Sequence, residues 1–201
     1  MKNWTFKKWN TILGWVVFAI AFITYLSTIE PNFSFWDCGE YISSAVKLEV
    51  THAPGAALFQ LIGAVAAIFG FGDPSKYSVI INAMSALFSA FTILFLFWTI
   101  THLVRRLLNK DFEEVTFTEE ISILFAGVIG ALSFTFSDTF WFSAVEGEVY
   151  SMASMFIALL VWLITKWENE YHEKDNERWL ILIFFITGLS VGVHMMCMLA
   201  I

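Results

Sequence analysis

Five stretches of this chain, residues 10–29, 77–104, 120–136, 148–166 and 179–201, are close to or above the length that crosses a bilayer. A helix needs roughly 20 largely apolar residues to traverse about 30 Å of hydrocarbon. The pattern predicts an all-α polytopic membrane protein with about five transmembrane helices. Composition agrees: 58% of the 201 residues are hydrophobic and only 14% charged, where a soluble domain of this size exposes more charge. Lys2, Lys7 and Lys8 precede the first apolar run, and no small-residue cleavage site follows it. This is the pattern of a retained signal anchor.

Residues 56–71 are apolar but short, opened by Pro54-Gly55 and closed by Gly70, Gly72 and Pro74. By length they could span or lie at the interface. The basic residues decide. If this segment does not cross, Lys2, Lys7, Lys8, Arg105, Arg106, Lys110, Lys166, Lys174 and Arg178, nine of the eleven Lys and Arg, fall on or border the cytoplasmic side. If it crosses, Arg105, Arg106 and Lys110 move outside. The positive-inside rule selects the first topology. The amino terminus is then cytoplasmic, and residues 30–76, the turn at 137–147 and the end of the last span face outward. Trp9, Trp36, Trp141, Trp167 and Trp179 fall at predicted span ends, where amphipathic rings prefer to sit.

A net charge of −7 with no basic patch excludes nucleic acid as a partner. Cys38 and Cys197 are too few for a disulfide framework. They could pair if both lie near the outer face, but two inert thiols are the favoured reading.

The candidate chemistry lies on the outer side. In Phe33-Ser34-Phe35-Trp36-Asp37-Cys38-Gly39-Glu40-Tyr41, Asp37 stands at the entrance to a helix and Glu40 three residues on. Glu40, Ser43, Ser44 and Lys47 recur at helical spacing, with Ile42, Ala45 and Val46 opposite, as in a helix lying in the interface plane. The acidic pair could aim at one region, or Asp37 could cap the helix while Glu40 reaches back, as in a capping box. Pro54 keeps Ala53 out of helix, so His52 lies on a turn between two interfacial helices. There His52 is either a solvated loop residue or a polar site at headgroup depth. Lys47 could meet a lipid phosphate or snorkel. Glu146 and Glu148 open a later span, where acids complement the helix dipole, and Trp141 and Tyr150 flank them. The last predicted span carries His194, an ionisable group that is expensive in lipid, with Gly188 and Gly192 spaced for close helix packing.

Taken together, an outer acidic pair before an interfacial helix, a His-x-Pro turn, a second interfacial helix and acids opening a later span resemble the amino-terminal module of GT-C glycosyltransferases. These use polyprenyl-phosphate sugars and include protein O-mannosyltransferases and aminoarabinose transferases. More closely, Trp36-Asp37-Cys38-Gly39-Glu40-Tyr41, His52-Ala53-Pro54-Gly55 and Glu146-Gly147-Glu148-Val149-Tyr150 are similar to a family of bacterial membrane proteins common in Bacteroidetes, related to protein O-mannosyltransferases. Many members carry two prolines after the basic residue; here the first is Ala53.

The resemblance implies a catalytic pair, Asp37 as general base on the acceptor and Glu40 as its partner. It implies substrate contacts by Lys47 and His52 near the lipid phosphate, and by Glu146 and Glu148 closing the site. Trp36, Trp141 and Tyr150 could stack on sugar, and His194 could face the acids. The implied substrates are a polyprenyl-phosphate sugar donor and a protein or glycan hydroxyl acceptor, with inversion at the sugar carbon. A divalent metal is compatible with the acids but not specified by them. The implied location is the inner membrane, with the active face periplasmic. The chain reads as one membrane domain, the amino-terminal fragment of a larger GT-C-like protein. A non-catalytic scaffold or lipid-binding subunit of the same fold is the alternative. A transporter fits less well, because no internal repeat or mid-span Pro is visible.

Overall fold

The computed structural model describes residues 2–108 and 115–201, with the backbone alone at residues 2–5; Lys110 of the expected basic loop lies outside them. Eight α-helices follow in order: α1 Lys2–Ser27, α2 Cys38–Lys47, α3 Ala57–Ala67, α4 Tyr77–Leu107, α5 Phe117–Thr135, α6 Asp138–Ala144, α7 Val149–Asn169 and α8 Glu177–Val191. Among the described residues there is no strand. Among the described residues four helices, α1, α4, α5 and α7, are long and apolar enough to cross a membrane. The protein is an all-α polytopic membrane protein.

α4 is the hub, packed against α1, α5 and α7. It runs antiparallel to α1. Trp98 Nε1 donates to the Asn10 carbonyl at 3.3 Å, the Phe18 and Phe91 rings meet at 4.9 Å, and Asn82 Nδ2 reaches the Glu30 carbonyl at 2.7 Å. The chain therefore leaves α1 and enters α4 at the same end of the bundle. α2 and α3 lie at that end without crossing, as the distribution of Lys and Arg predicts. At the opposite end stand the start of α1, the end of α4 and the α7–α8 turn, with Arg105, Arg106, Lys166, Lys174 and Arg178. Outward-facing Ile23, Phe125, Ile129, Phe184 and Phe185 are each more than 60% exposed, which suits a surface solvated by lipid.

Two expectations change. The fifth predicted span, residues 179–201, is not one helix. α8 is 15 residues long, about 22 Å of rise, short of a hydrocarbon core. Its end is tertiary in origin: the Gly192 carbonyl accepts a hydrogen bond from Leu58 N–H at 2.8 Å. His194 is then extended, and its Nδ1 accepts from Met196 N–H, starting a separate 3₁₀ turn over Met195–Ala200. On α2, Ser44 belongs to the buried face with Cys38, Tyr41, Ile42 and Ala45, because α3 packs there.

The glycine expectation also divides. A Cβ at Gly188 would meet nothing within 4 Å, so Gly188 is not a packing position. A Cβ at Gly192 would stand 3.3 Å from Leu58 Cβ, so this residue does allow a close approach. The helix contact that depends most on glycine is α5 against α4, where a Cβ at Gly127 would lie 2.5 Å from Thr101 Cγ2 and 2.8 Å from Phe97. Gly127→Ala is expected to cost about 1–3 kcal/mol through overpacking. Gly188→Ala should leave the melting temperature unchanged or higher, since it adds helix propensity in open space. Thermal unfolding of the two variants in one detergent compares them directly; equal melting temperatures would contradict the α4–α5 packing.

Candidate functional site

Three sequence-predicted residues meet where α2 begins. Asp37 precedes α2 and Glu40 sits in its first turn, so both project from one end of the helix. α2 closes on Leu48, whose left-handed backbone (φ 53°) turns the chain back over the helix. The return brings His52 to Glu40. His52 N–H donates to Glu40 Oε1 at 2.6 Å, and His52 Nδ1 lies 2.9 Å from Glu40 Oε2. His52 Nε2 is 3.8 Å from Asp37 Oδ2.

The side chains do not form the capping box that the spacing allows. Asp37 makes no side-chain capping bond, and Glu40 turns to His52. Hydrogen bonds from His52 hold the Glu40 carboxyl below its usual range. The same bond, with the nearby Glu40 and Asp37 charges, raises the His52 imidazole above its own. The cluster is solvent-accessible. One ligand atom from each of Asp37, Glu40 and His52 lies within 4.8 Å of the others, a separation that one cation could bridge.

Glu146 and Glu148 form a second, buried acidic pair behind the first. They flank Gly147 just before α7. A Cβ at Gly147 would stand 3.0 Å from Asn82 Oδ1 and 3.1 Å from Ile42, so glycine lets this turn pass between α4 and α2. Glu146 accepts a hydrogen bond from Ser34 Oγ. Burial pushes the Glu146 carboxyl up. Glu148 is raised further, to about 7, by burial first and then by the charges of Glu146 and Asp37. The Tyr41 hydroxyl is pushed to about 12 by burial and the surrounding acids. Its ring stands 5.8 Å from that of His52.

Other expected residues are more peripheral. Lys47 is exposed at the far end of α2, about 10 Å along the axis from Glu40. Trp36 is 88% exposed, with its backbone in the left-handed region (φ 67°). Tyr150 packs on His194 with ring centroids 5.7 Å apart, so these two residues pair with each other. Trp141 turns back to α1, where its Nε1 donates to Thr28 Oγ1. Cys38 and Cys197 are free and buried, in keeping with inert thiols.

Sequence reasoning passed over Ser34, Glu30 and Asn82. Asn82 is fully buried and donates to the Glu30 and Asn32 carbonyls at 2.7 and 2.9 Å, which holds the start of the loop against α4. A lone Asn in the first turns of an apolar span was the available signal.

The raised Glu148 has a testable linkage. A carboxyl lifted above its unfolded value contributes stability that is fully present below the unfolded pKa and lost as pH climbs through the folded one. The melting temperature of Glu148→Gln relative to wild type should therefore rise between about pH 5 and about pH 8. A difference that stays flat with pH would contradict the buried, charge-crowded setting of this group.

This geometry can be set beside known proteins. No solved structure matches the chain. It is similar to "Protein O-mannosyl-transferase tmem260" of Dictyostelium discoideum, 30% identical over 167 residues, covering 82% of this chain and 18% of that protein. It is likewise similar to "Protein O-mannosyl-transferase TMEM260" of Mus musculus, 30% identical over 176 residues, covering 87% of this chain and 22% of that protein. The chain spans about a fifth of the length of these curated relatives. The family profile for the protein O-mannosyl-transferase TMEM260 N-terminal domain matches residues 37–201, beginning at Asp37 itself, and the chain belongs to that family.

Proposed function

We propose that this face of the protein serves a GT-C-type glycosyltransferase that moves a sugar from a polyprenyl-phosphate donor to a hydroxyl of a protein or glycan acceptor. One observation carries the reading: Asp37, Glu40 and His52 converge on an accessible surface, with the buried acid Glu148 close enough to sense Asp37. Family membership adds support, because the relatives are named protein O-mannosyl-transferases. The expected setting is the inner membrane, with the amino terminus cytoplasmic and the site on the periplasmic side, following the bias of Lys and Arg.

In this reading the polyprenyl tail stays in the bilayer and its sugar phosphate lies at the interface. The Asp37 carboxylate takes the proton of the acceptor hydroxyl as that oxygen attacks the anomeric carbon. The new carbon–oxygen bond forms as the bond to phosphate breaks on the opposite face, so configuration inverts and polyprenyl phosphate departs with the bonding pair. Hydrogen bonding to Glu40 raises the His52 imidazole, which favours the positively charged form that would face the leaving phosphate. Glu146 and Glu148 close the rear of the site. Lys47 is exposed where a lipid phosphate could reach it; Trp36, Tyr150 and His194 are secondary candidates for substrate contact.

The triad also supports a second reading of its role. Asp37, Glu40 and His52 are oxygen and nitrogen donors suited to one divalent cation, which would supply charge stabilisation to a phosphate. Calorimetric titration of the full protein with Mn²⁺ tests this. Binding that Glu40→Gln weakens and Lys47→Gln does not would assign the triad as ligands; no binding would leave the general-base reading alone.

Replacing Asp37 by Asn in the full-length protein should lower sugar transfer about 10²–10⁴-fold, the range of a lost general base. His52→Ala is expected to cost less, with part of its loss recovered in His52→Lys. Transfer assayed from a polyprenyl-phosphate mannose donor reads both. Wild-type rates in Asp37→Asn would eliminate Asp37 as the base, and normal expression with no transfer in any form would favour the scaffold alternative.

A further inference from the structure

A cavity lies at the other end of the bundle, between the start of α1 and the ends of α4 and α7. It encloses about 300 Å³. Its described lining includes Arg105, Lys166 and His102, and no carboxylate. Two carboxylates stand close by: Glu168 pairs with Arg106 and with His102 Nε2 at 3.0 Å, and the buried Glu120 shares a small neighbouring cleft with Arg105 and Phe6. The intervening network has a defined sense. Arg105, only 5% exposed, donates Nη2 to Asn169 Oδ1 at 2.9 Å. The Asn169 amide therefore offers its Nδ2 to His102 Nδ1, 3.0 Å away, and the His102 proton lies on Nε2 toward Glu168. This chain of bonds positions Arg105 at the cavity and keeps Glu168 outside it.

The apolar half of the lining places the cavity relative to lipid. Trp98 and Trp162 pack with ring centroids 5.4 Å apart, and Lys166 Nζ lies 5.3 Å above the Trp162 ring. Trp98 continues to Trp15, which is 47% exposed on the outer surface of α1. Clustered tryptophans beside fixed cations mark the headgroup level of a membrane. Basic pockets between spanning helices at that depth suit phosphate headgroups, which an arginine fork binds with directional hydrogen bonds.

We infer that this cavity binds the phosphate headgroup of an anionic lipid in the leaflet opposite the acidic site. Arg105 and Lys166 supply charge, and the tryptophans pack along the upper acyl chain. The site is independent of the transfer chemistry proposed above and requires none of its residues.

Native mass spectrometry of the full chain, equilibrated with equal amounts of phosphatidylglycerol and phosphatidylcholine, tests it. The anionic lipid should dominate the bound species. Lys166→Gln should reduce that preference about fivefold, the effect of one cation near a charged headgroup. Lys166→Arg should retain it, and Arg178→Gln, which removes a charge at the same end but outside the cavity, should not change it. Equal binding of the two lipids would overturn the inference, as would a preference that Lys166→Gln leaves intact. Millimolar inorganic phosphate that displaces the lipid would overturn the lipid assignment, by showing that the cavity takes free phosphate. Should Lys166→Gln not fold, the comparison of Lys166→Arg with Trp162→Ala remains: the first keeps the preference and the second weakens total lipid binding if the site is where we place it.

Discussion

Asn82 is buried near the start of α4, and its amide nitrogen holds two backbone carbonyls, those of Glu30 and Asn32, from a segment some fifty residues earlier. A buried amide donor without a partner costs about 1–3 kcal/mol, so these bonds from the fully buried Asn82 are worth more than an ordinary surface bond. It pins the exit of α1 to the entrance of α4. Everything between them, including α2, the His52 turn and α3, must then stay at one end of the bundle. The same side chain faces Gly147, whose missing Cβ lets Glu146 and Glu148 approach from the α7 side. One polar contact thus brings two distant acidic motifs to a common surface.

That surface contains acids in two different environments. Glu40 is accessible and hydrogen-bonded to His52, so its charged form is favoured. Glu148 is buried beside other negative charge, so its neutral form persists to about pH 7. One surface therefore holds an acid whose charged form is favoured and another whose neutral form is favoured. The separation comes from burial and neighbours, since the residues are chemically alike. At the opposite end cations line a cavity, and Glu168 beside it is held by Arg106 and His102.

Much of the architecture was readable from the chain. Length and apolarity identify α1, α4, α5 and α7, and the distribution of Lys and Arg identifies the short segment after Pro54 as non-crossing. The proximity of Asp37 and Glu40 follows from helical spacing. Other features were not readable because they depend on partners remote in sequence. α8 ends where Leu58 binds the Gly192 carbonyl, and nothing near Gly192 announces Leu58. Ser44 turns inward because α3 covers that face of α2. Gly188, spaced as a packing residue, meets open space, while Gly127 carries the close contact. The aromatic candidates Trp36 and Trp141 were drawn from their places beside the acidic motifs, and position along the chain does not fix where a side chain points.

Hydrophobic length and charge asymmetry are local properties that act on each segment separately. They were enough to determine that the chain is helical, that it crosses the membrane several times and that most of its Lys and Arg gather at one end. Tertiary structure decided which acid meets the histidine, which acid is buried, and how the basic end closes into a cavity. Those outcomes turn on hydrogen bonds and desolvation between residues as much as 112 positions apart, and a linear pattern holds no record of which groups will share a dielectric.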